Sequence, residues 1–497
     1  MKYPAYPQYK DSGVAWLGDV PEAWEMKRIK FVFPKLYSGV SVNSENTPAS
    51  SDTFGILKTS CVYGNRFIPE ENKQILEEEI QRASCPVTAD SLIISRMNTP
   101  ELVGNCGYVD SSHPNLFLPD RLWIARFSGH KYMLGKFAWY LTSCDLFAKL
   151  TASLATGTSG SMKNLSQEAF LNIDISFPKY SEQTAIADFL DRETGRIDAL
   201  VAKKRKLVEL LKEKRSALIS RTVTRGLPAD AAREFGLTTG NSAIQERPGH
   251  YDGRGDFNRP QAEANQFAPT SEPAPSQAFK DSGVEWLEAI PENWEIKRLK
   301  NVTKILRGKF SHRPRNDPRL YDGDYPFIQT GDVSGANKFI VAYQQTLNEE
   351  GFSVSKMFPK GTLVMTIAAN IGDVAILDFE ACFPDSIVGF VPGHKIQLEF
   401  LYFLFQAMRS VLFSTATLNT QMNLNVERIG SLEAAIPPLN EQTAIATYLD
   451  RETTKIDQLV TKVETAITRL QEYRSALITA AVTGKIDVRG TGMEITA

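Results

Sequence analysis

Two blocks of this 497-residue chain occur twice and in the same order, and that repeat limits the fold more than any other feature. KDSGVAWLGDVPEAWEMKRIK at residues 10–30 returns as KDSGVEWLEAIPENWEIKRLK at 280–300, with 14 of 21 positions identical. EQTAIADFLDRETGRID at 182–198 returns as EQTAIATYLDRETTKID at 441–457, with 13 of 17 identical. RSALI recurs at 215–219 and 474–478. The first block repeats at an offset of 270 and the second at 259, so the intervening stretch is 11 residues longer in the first copy. The flanking blocks therefore do one structural job twice, and the divergent middles do related jobs with different specificity.

The middles keep a common skeleton. Apolar SLIIS at 91–95 matches TLVMT at 362–366, and both read as strands. Asn105-Cys106-Gly107 is aligned with Asn370-Ile371-Gly372, Pro119-Asp120 with Pro384-Asp385, and Gly129-His130-Lys131 with Gly393-His394-Lys395. Each middle closes on a proline-bearing extended segment that stops regular structure before a helix begins. Between the copies, residues 226–277 are rich in Pro, Gly, Ala, Gln and Asn and lack periodicity, which predicts a linker that is flexible at least after Thr239.

The segments after the second block are long amphipathic helices. Residues 182–224 contain no proline and a single glycine, Gly195. Leu190, Ile197, Lys204, Leu211 and Leu218 recur every seven residues, beside a second row of Ala187, Thr194, Val201, Val208, Arg215 and Thr222. The other copy repeats the phase with Leu449, Ile456, Val463, Leu470 and Leu477 beside Ala446, Thr453, Val460, Ile467, Arg474 and Ala481. A sustained two-row stripe is a coiled-coil seam, and each helix should span roughly 60–65 Å at 1.5 Å per residue. The expected fold is α+β: two globular α/β domains in tandem repeat, each followed by a long α-helix, the helices pairing as an antiparallel coiled coil. The expected boundaries are 1–180 for the first domain, 181–225 for its helix, 226–277 for the linker, 278–439 for the second domain, 440–487 for its helix and 488–497 for a tail.

Hydrophobic residues at 42% and charged residues at 23% are ordinary for a globular protein. The formal net charge of -2 argues against a body coated in positive charge, though a local basic loop suffices for nucleic acid. Five cysteines, Cys61, Cys85, Cys106, Cys144 and Cys382, form no CxxC pair, which fits reduced thiols in a cytoplasmic protein. The start of the chain has no apolar signal core and no stretch approaches 18 apolar residues, so neither export nor a membrane span is expected.

The order KDSGVxWL…IPxxWExKRLK, a variable domain, PxxxEQxAIxxxLDxET…ID, a long helix with RSALI, and the whole again, resembles the specificity subunit of type I restriction–modification systems. The resemblance covers nearly the whole chain apart from the linker. It implies a non-catalytic subunit in which each variable domain is a target-recognition domain reading one half of a bipartite double-stranded DNA site. The helices would act as a spacer on which two methyltransferase subunits dock, with two restriction/translocase subunits joining for cleavage. It implies no cofactor on this chain, with S-adenosylmethionine, ATP and Mg on the partners.

DNA contacts would come from polar, loop-like positions, since base edges carry the sequence information while phosphates set position. The second middle opens with a basic loop at 304–315 that includes Arg307, Lys309, His312, Arg313 and Arg315. The matching first-copy segment, Lys35 to Gly39, is far less basic. Further candidates are Lys58, Thr59, Ser60, Arg96, Asn98, Ser159, Ser161, Lys163 and Asn164 in the first domain. In the second they are Gln329, Thr330, Asn370, Asn419, Gln421 and Asn423. Asn and Gln suit adenine edges, and Arg or Lys suit guanine. Trp16, Trp24, Trp286 and Trp294 recur in both copies and read as packing anchors.

Enzyme readings fare badly. The PD spacing of a metal-dependent nuclease is present, but Gly129 and Gly393 stand where a carboxylate should bind the metal. A P-loop and a glycine-rich methyltransferase loop with an NPPY-like motif are missing, and the five histidines form no ligand cluster. The competing reading from another class is a coiled-coil adaptor whose heads bind proteins; it predicts no salt-dependent DNA affinity, and the basic loop weighs against it.

Overall fold

The computed structural model describes residues 3–159, 162–237, 278–368, 371–415 and 426–490. The chain divides into two units, Met1–Lys206 with Val463–Ala497, and Leu207–Lys462. Each unit thus holds one globular domain, the first half of one long helix and the second half of the other.

In the first unit, strands Cys106–Val109, Ser91–Ser95, Leu122–Arg126 and Leu36–Ser38 lie side by side in that order, all antiparallel. A second sheet runs Asn72–Gln74, Gly55–Leu57, His113–Phe117 and Pro86–Val87. In the second unit the matching sheets are Thr303–Arg307, Ile387–Pro392, Leu363–Thr366, Val374–Leu377 and Phe339–Ile340, and Gln345–Leu347, Tyr321–Phe327, Ala381–Cys382 and Met357–Phe358. SLIIS and LVMT are interior strands in both, and their near-continuous burial follows from packing on both faces. Each repeat block supplies a strand, Glu25–Arg28 or Glu295–Arg298, that pairs with the extended segment before the helix, Asp174–Phe177 or Glu433–Ile436. Trp24 and Trp294 are buried in the two cores, and Trp16 and Trp286 pack half-buried against them.

One alignment of the sequence reading is displaced by three residues. Gly104 and Gly372 are the equivalent glycines, with φ of 84° and 82°. Their amides donate to Ser95 O at 2.8 Å and Thr366 O at 2.9 Å. The left-handed turn between the two strands demands glycine at that point. Gly107 instead lies inside a strand.

The long helices run Tyr180–Arg225 and Leu439–Val482. Their starts are fixed by the glutamine of the repeated EQ pair. Gln183 is fully buried; its carbonyl accepts from Leu134 N at 2.8 Å, and its amide donates to Tyr132 O at 2.8 Å and Pro178 O at 3.0 Å. Gln442 repeats this with Gln397 N at 2.8 Å, Lys395 O at 2.9 Å and Pro437 O at 2.8 Å. A buried amide with its hydrogen bonds made is stabilising, and an unmade one is costly, so this residue ties helix to domain.

Along the seam Leu190, Ile197, Val201, Val208, Leu449, Ile456 and Leu477 are buried, and Leu211, Leu218, Val460, Val463, Ile467 and Leu470 are half-buried. Leu190 faces the globular core as well as the helix stripe. Within the first unit Arg474 meets Asp198 at 3.0 Å, and within the second Arg215 meets Asp457 at 3.0 Å. These two ion pairs are one contact made twice, because each partner is displaced by 259 residues. They set the helices antiparallel in each unit and explain the basic step in an otherwise uncharged row.

Both helices end on a left-handed glycine, Gly226 with φ of 84° and Gly484 with φ of 71°. The chain stays ordered beyond both glycines. At the start of the expected linker Leu227 and Ala231 are buried, Ala229–Glu234 is helical, and Glu234 pairs with Arg451. After the second helix Ile486 and Val488 are buried and Asp487 N donates to Pro4 O at 2.8 Å. The apolar residue after each helix-ending glycine has a core to enter, which composition alone does not reveal. The first repeat block therefore packs on the end of the second helix, where Tyr9 hydroxyl donates to Gly484 O at 3.1 Å. The second block packs on the end of the first, through Arg225 and Glu288 at 2.6 Å.

Candidate nucleic-acid interface

In the first domain, Lys58 precedes a 3-10 helix at Thr59–Asn65. The Lys58 ammonium lies 3.5 Å from the Glu71 carboxylate, and the Ser60 hydroxyl donates to the same group. The Ser60 hydrogen bond, and then the Lys58 charge, hold the Glu71 carboxyl below the usual carboxylate range. Thr59 is half-buried beside them.

A small sheet of Thr156–Ser159, Met162–Asn164 and Met97–Asn98 gathers most of the other candidates. Lys163 stands opposite Asn98, and Asn164 opposite Met97. Lys163 and Asn164 are half-buried, and Asn164 Oδ1 has no partner among the described residues. The Arg96 guanidinium lies 5.9 Å over the Trp123 ring. Asn98 is 7% exposed, and its amide donates to Ser95 Oγ at 3.3 Å and Tyr63 hydroxyl at 3.4 Å while its carbonyl accepts from Thr99 N at 2.9 Å. Those bonds hold the sheet to the 3-10 helix and leave Asn98 no free group for a base. Ser161, Asn370, Asn419, Gln421 and Asn423 lie outside the described residues, as does the side chain of Ser159.

In the second domain the basic loop splits into three kinds of cation. Arg307, at the end of its strand, and Lys309 are exposed, and neither has a side-chain partner among the described residues. Arg313 is committed to the loop, donating to Phe310 O and His312 O at 2.8 Å each and approaching Asp385 at 3.4 Å. Arg315 pairs with the other oxygen of Asp385, and its carbonyl accepts from the Tyr321 hydroxyl. His312 Nε2 is 3.2 Å from Asp317, whose carboxyl is held well below its usual range, chiefly by hydrogen bonds from Arg319. Gln329 donates from its amide to Gln345 Oε1 at 2.7 Å, and Asp332 caps the short helix at Thr330–Gly335 by accepting from Gln329 N. Thr330 is half-buried at its start.

The two proline-aspartate motifs meet the same loop in both domains. Asp120 accepts from Ser41, whereas Asp385 takes two arginines. Neither carboxylate is placed as a metal ligand, and among the described residues no three His, Cys, Asp or Glu side chains are grouped to hold a metal. No helix among those residues is long and apolar enough to cross a membrane.

The sequence reading missed the cations that fasten each domain to its helix. Arg66 reaches Asp198 at 2.8 Å, Lys136 reaches Asp191 at 2.5 Å, and Lys338 reaches Asp450 at 2.6 Å. The signal was available only on the helix side, where these aspartates sit in the repeated LDRET and ID motifs.

Comparison with known proteins agrees with this geometry. Residues 21–210 and 291–469 match the family described as the type I restriction modification DNA specificity domain. The chain is 26% identical over 165 residues to the type I restriction enzyme MjaIX specificity subunit of Methanocaldococcus jannaschii, covering 32% of this chain and 38% of that protein. It is 19% identical over 483 residues to the putative MjaX specificity subunit of the same organism, covering 95% and 96%. It is 26% identical over 222 residues to the EcoKI specificity subunit of Escherichia coli, covering 41% and 46%. The alignment thus spans less than half the length of the MjaIX and EcoKI subunits and nearly all of the MjaX protein. A solved chain described under complex assembly and conformational transition of the type I R-M system shares the fold, with a TM-score of 0.60 at 14% identity over 94% of this chain and 99% of that one. The family match covers well over half of the chain and falls once on each repeat, so this protein belongs to the type I restriction modification DNA specificity family and carries its domain twice.

Proposed function

We propose that the chain is the non-catalytic DNA-recognition subunit of a cytoplasmic type I restriction–modification complex. The first domain reads one half of a bipartite double-stranded site and the second domain reads the other. The paired helices fix the separation of the halves and dock two methyltransferase subunits, and two restriction/translocase subunits complete the assembly. S-adenosylmethionine, ATP and Mg act on those partners.

The observation that carries this reading is the pairing of identical scaffolds with unlike surfaces. Gln183 and Gln442, and the ion pairs Arg474–Asp198 and Arg215–Asp457, are the same parts used twice. The loops around Asp120 and Asp385 differ in charge. A symmetric frame carrying different loops suits an asymmetric, two-part DNA sequence. The exposure of Arg307 and Lys309 suits phosphate contacts, and the donors of Arg315, Gln329 and Lys163 suit base edges. The Escherichia coli and Methanocaldococcus relatives are specificity subunits by name.

Methylome sequencing of a host carrying this chain with its methyltransferase tests the proposal. A methylated-adenine motif in two parts with a fixed gap is expected. A contiguous motif, or no new methylation from a folded and expressed complex, contradicts it.

A further inference from the structure

Asp385 lies 70 residues from Arg315 of the basic loop, and its single carboxylate meets two of that loop's three arginines. Arg313 and Arg315 bring two positive charges to one carboxylate, and both guanidinium groups stay about half exposed, at 53% and 45%. Arg315 gives one NH2 group to Asp385 and meets no other side chain through its guanidinium among the described residues, so that contact orients the group and leaves its remaining N–H donors without a protein partner there. A fixed guanidinium fork suits a guanine edge, which must be met by two donors in a plane. A mobile guanidinium would satisfy any phosphate, and that kind of contact carries no sequence information.

The first domain supplies the contrast. There the equivalent Asp120 accepts from Ser41 and pairs with no arginine among the described residues. Elsewhere in that domain Glu71 meets a single cation, Lys58, and accepts from the Ser60 hydroxyl. The whole chain, at a formal net charge of -2, is likewise built without surplus attraction for DNA.

We propose that Asp385 is a specificity-determining positioning residue of the second domain: it aims Arg315 at a base edge and withholds Arg313 and Arg315 from indiscriminate phosphate binding. A carboxylate beside the DNA repels phosphates, so only a site that rewards the fixed Arg315 offsets its presence. The second half of the target should therefore contain a guanine that depends on Arg315. The inference rests on the proposed DNA-recognition function.

The experiment uses the full chain assembled with its methyltransferase subunits and two duplexes of equal length, one bearing the methylated motif and one scrambled. Affinities are read over a range of KCl. For Asp385→Asn, the scrambled duplex should bind about tenfold tighter, with a log–log salt slope steeper by roughly 1–2 as two cations become available to phosphates. The motif duplex should gain less, so discrimination falls. Asp385→Glu should restore the wild-type slope, which a purely structural role would not predict. Arg315→Gln leaves the carboxylate in place and should weaken the motif duplex while leaving the scrambled duplex nearly unchanged. An unchanged slope in Asp385→Asn, or equal gains on both duplexes, overturns the inference. So does equal loss on both duplexes with Arg315→Gln, the arm that decides if Asp385→Asn does not fold. If the wild-type complex itself fails to distinguish the duplexes, the proposed function falls instead.

Discussion

The two globular domains share strand order, helix anchoring and the aspartate that holds the loop after the first sheet strand, yet that aspartate meets a serine in one domain and two arginines in the other. The frame is repeated because it carries the packing and the buried hydrogen bonds, where change is costly. The loop is free to differ because its atoms are exposed, where change costs little stability. Charge at this aspartate is thus gathered in the second domain, and a neutral hydroxyl stands in its place in the first.

The comparison can be broken most easily at the shared frame. Gln183→Ala and Gln442→Ala each leave three backbone groups without their partner, one of them in a buried contact, and each should cost about 2–3 kcal/mol in denaturant unfolding. A difference of more than about 2 kcal/mol between them would mean the anchors are not equivalent. Gly39 and Gly308 test the loop root. A Cβ there would fall 1.6 Å from Leu118 O and 2.0 Å from Pro384 O. Alanine at either should cost about 3 kcal/mol through overpacking, read as a lowered unfolding midpoint. Both glycines have ordinary φ, so a neutral result at either would show that the strand can retreat from its neighbour.

The ion pairs of the helices should matter less. They are partly exposed, and a double-mutant cycle on Arg474 and Asp198 should give roughly 0.5–1 kcal/mol. The Arg215–Asp457 cycle should match it. Asp198→Asn should be the more damaging single change, because Asp198 also receives Arg66. Smallest of all in stability, Arg307→Ala and Lys309→Ala should leave unfolding unchanged within about 0.5 kcal/mol. Each should flatten the salt dependence of DNA binding by roughly one unit of slope, for specific and scrambled duplexes alike.

The sequence revealed the frame because repetition and heptad phase are local or periodic signals. Leu190, Ile197, Leu449 and Ile456 were recognisable as seam positions from spacing, and Arg215 and Arg474 were recognisable as odd basic steps in it. Their partners were hidden, since Asp198 lies 276 residues from Arg474 and Asp457 lies 242 residues from Arg215. The basic loop was legible as a run of charge, but its division into unpaired and paired arginines depends on Asp385, which the sequence places in an unrelated motif. Asn98 looked available because polarity was visible and burial was not. The order in residues 227–237 and 484–490 was obscured by composition, where one apolar residue after a helix-ending glycine decides the outcome.

The most direct test exchanges residues 31–180 for the corresponding segment of another family member and compares methylomes. The account predicts that one half of the methylated motif changes to that of the donor, while the other half and the gap length stay as they were. Alteration of both halves, or of neither, would contradict two independent readers on one helical spacer.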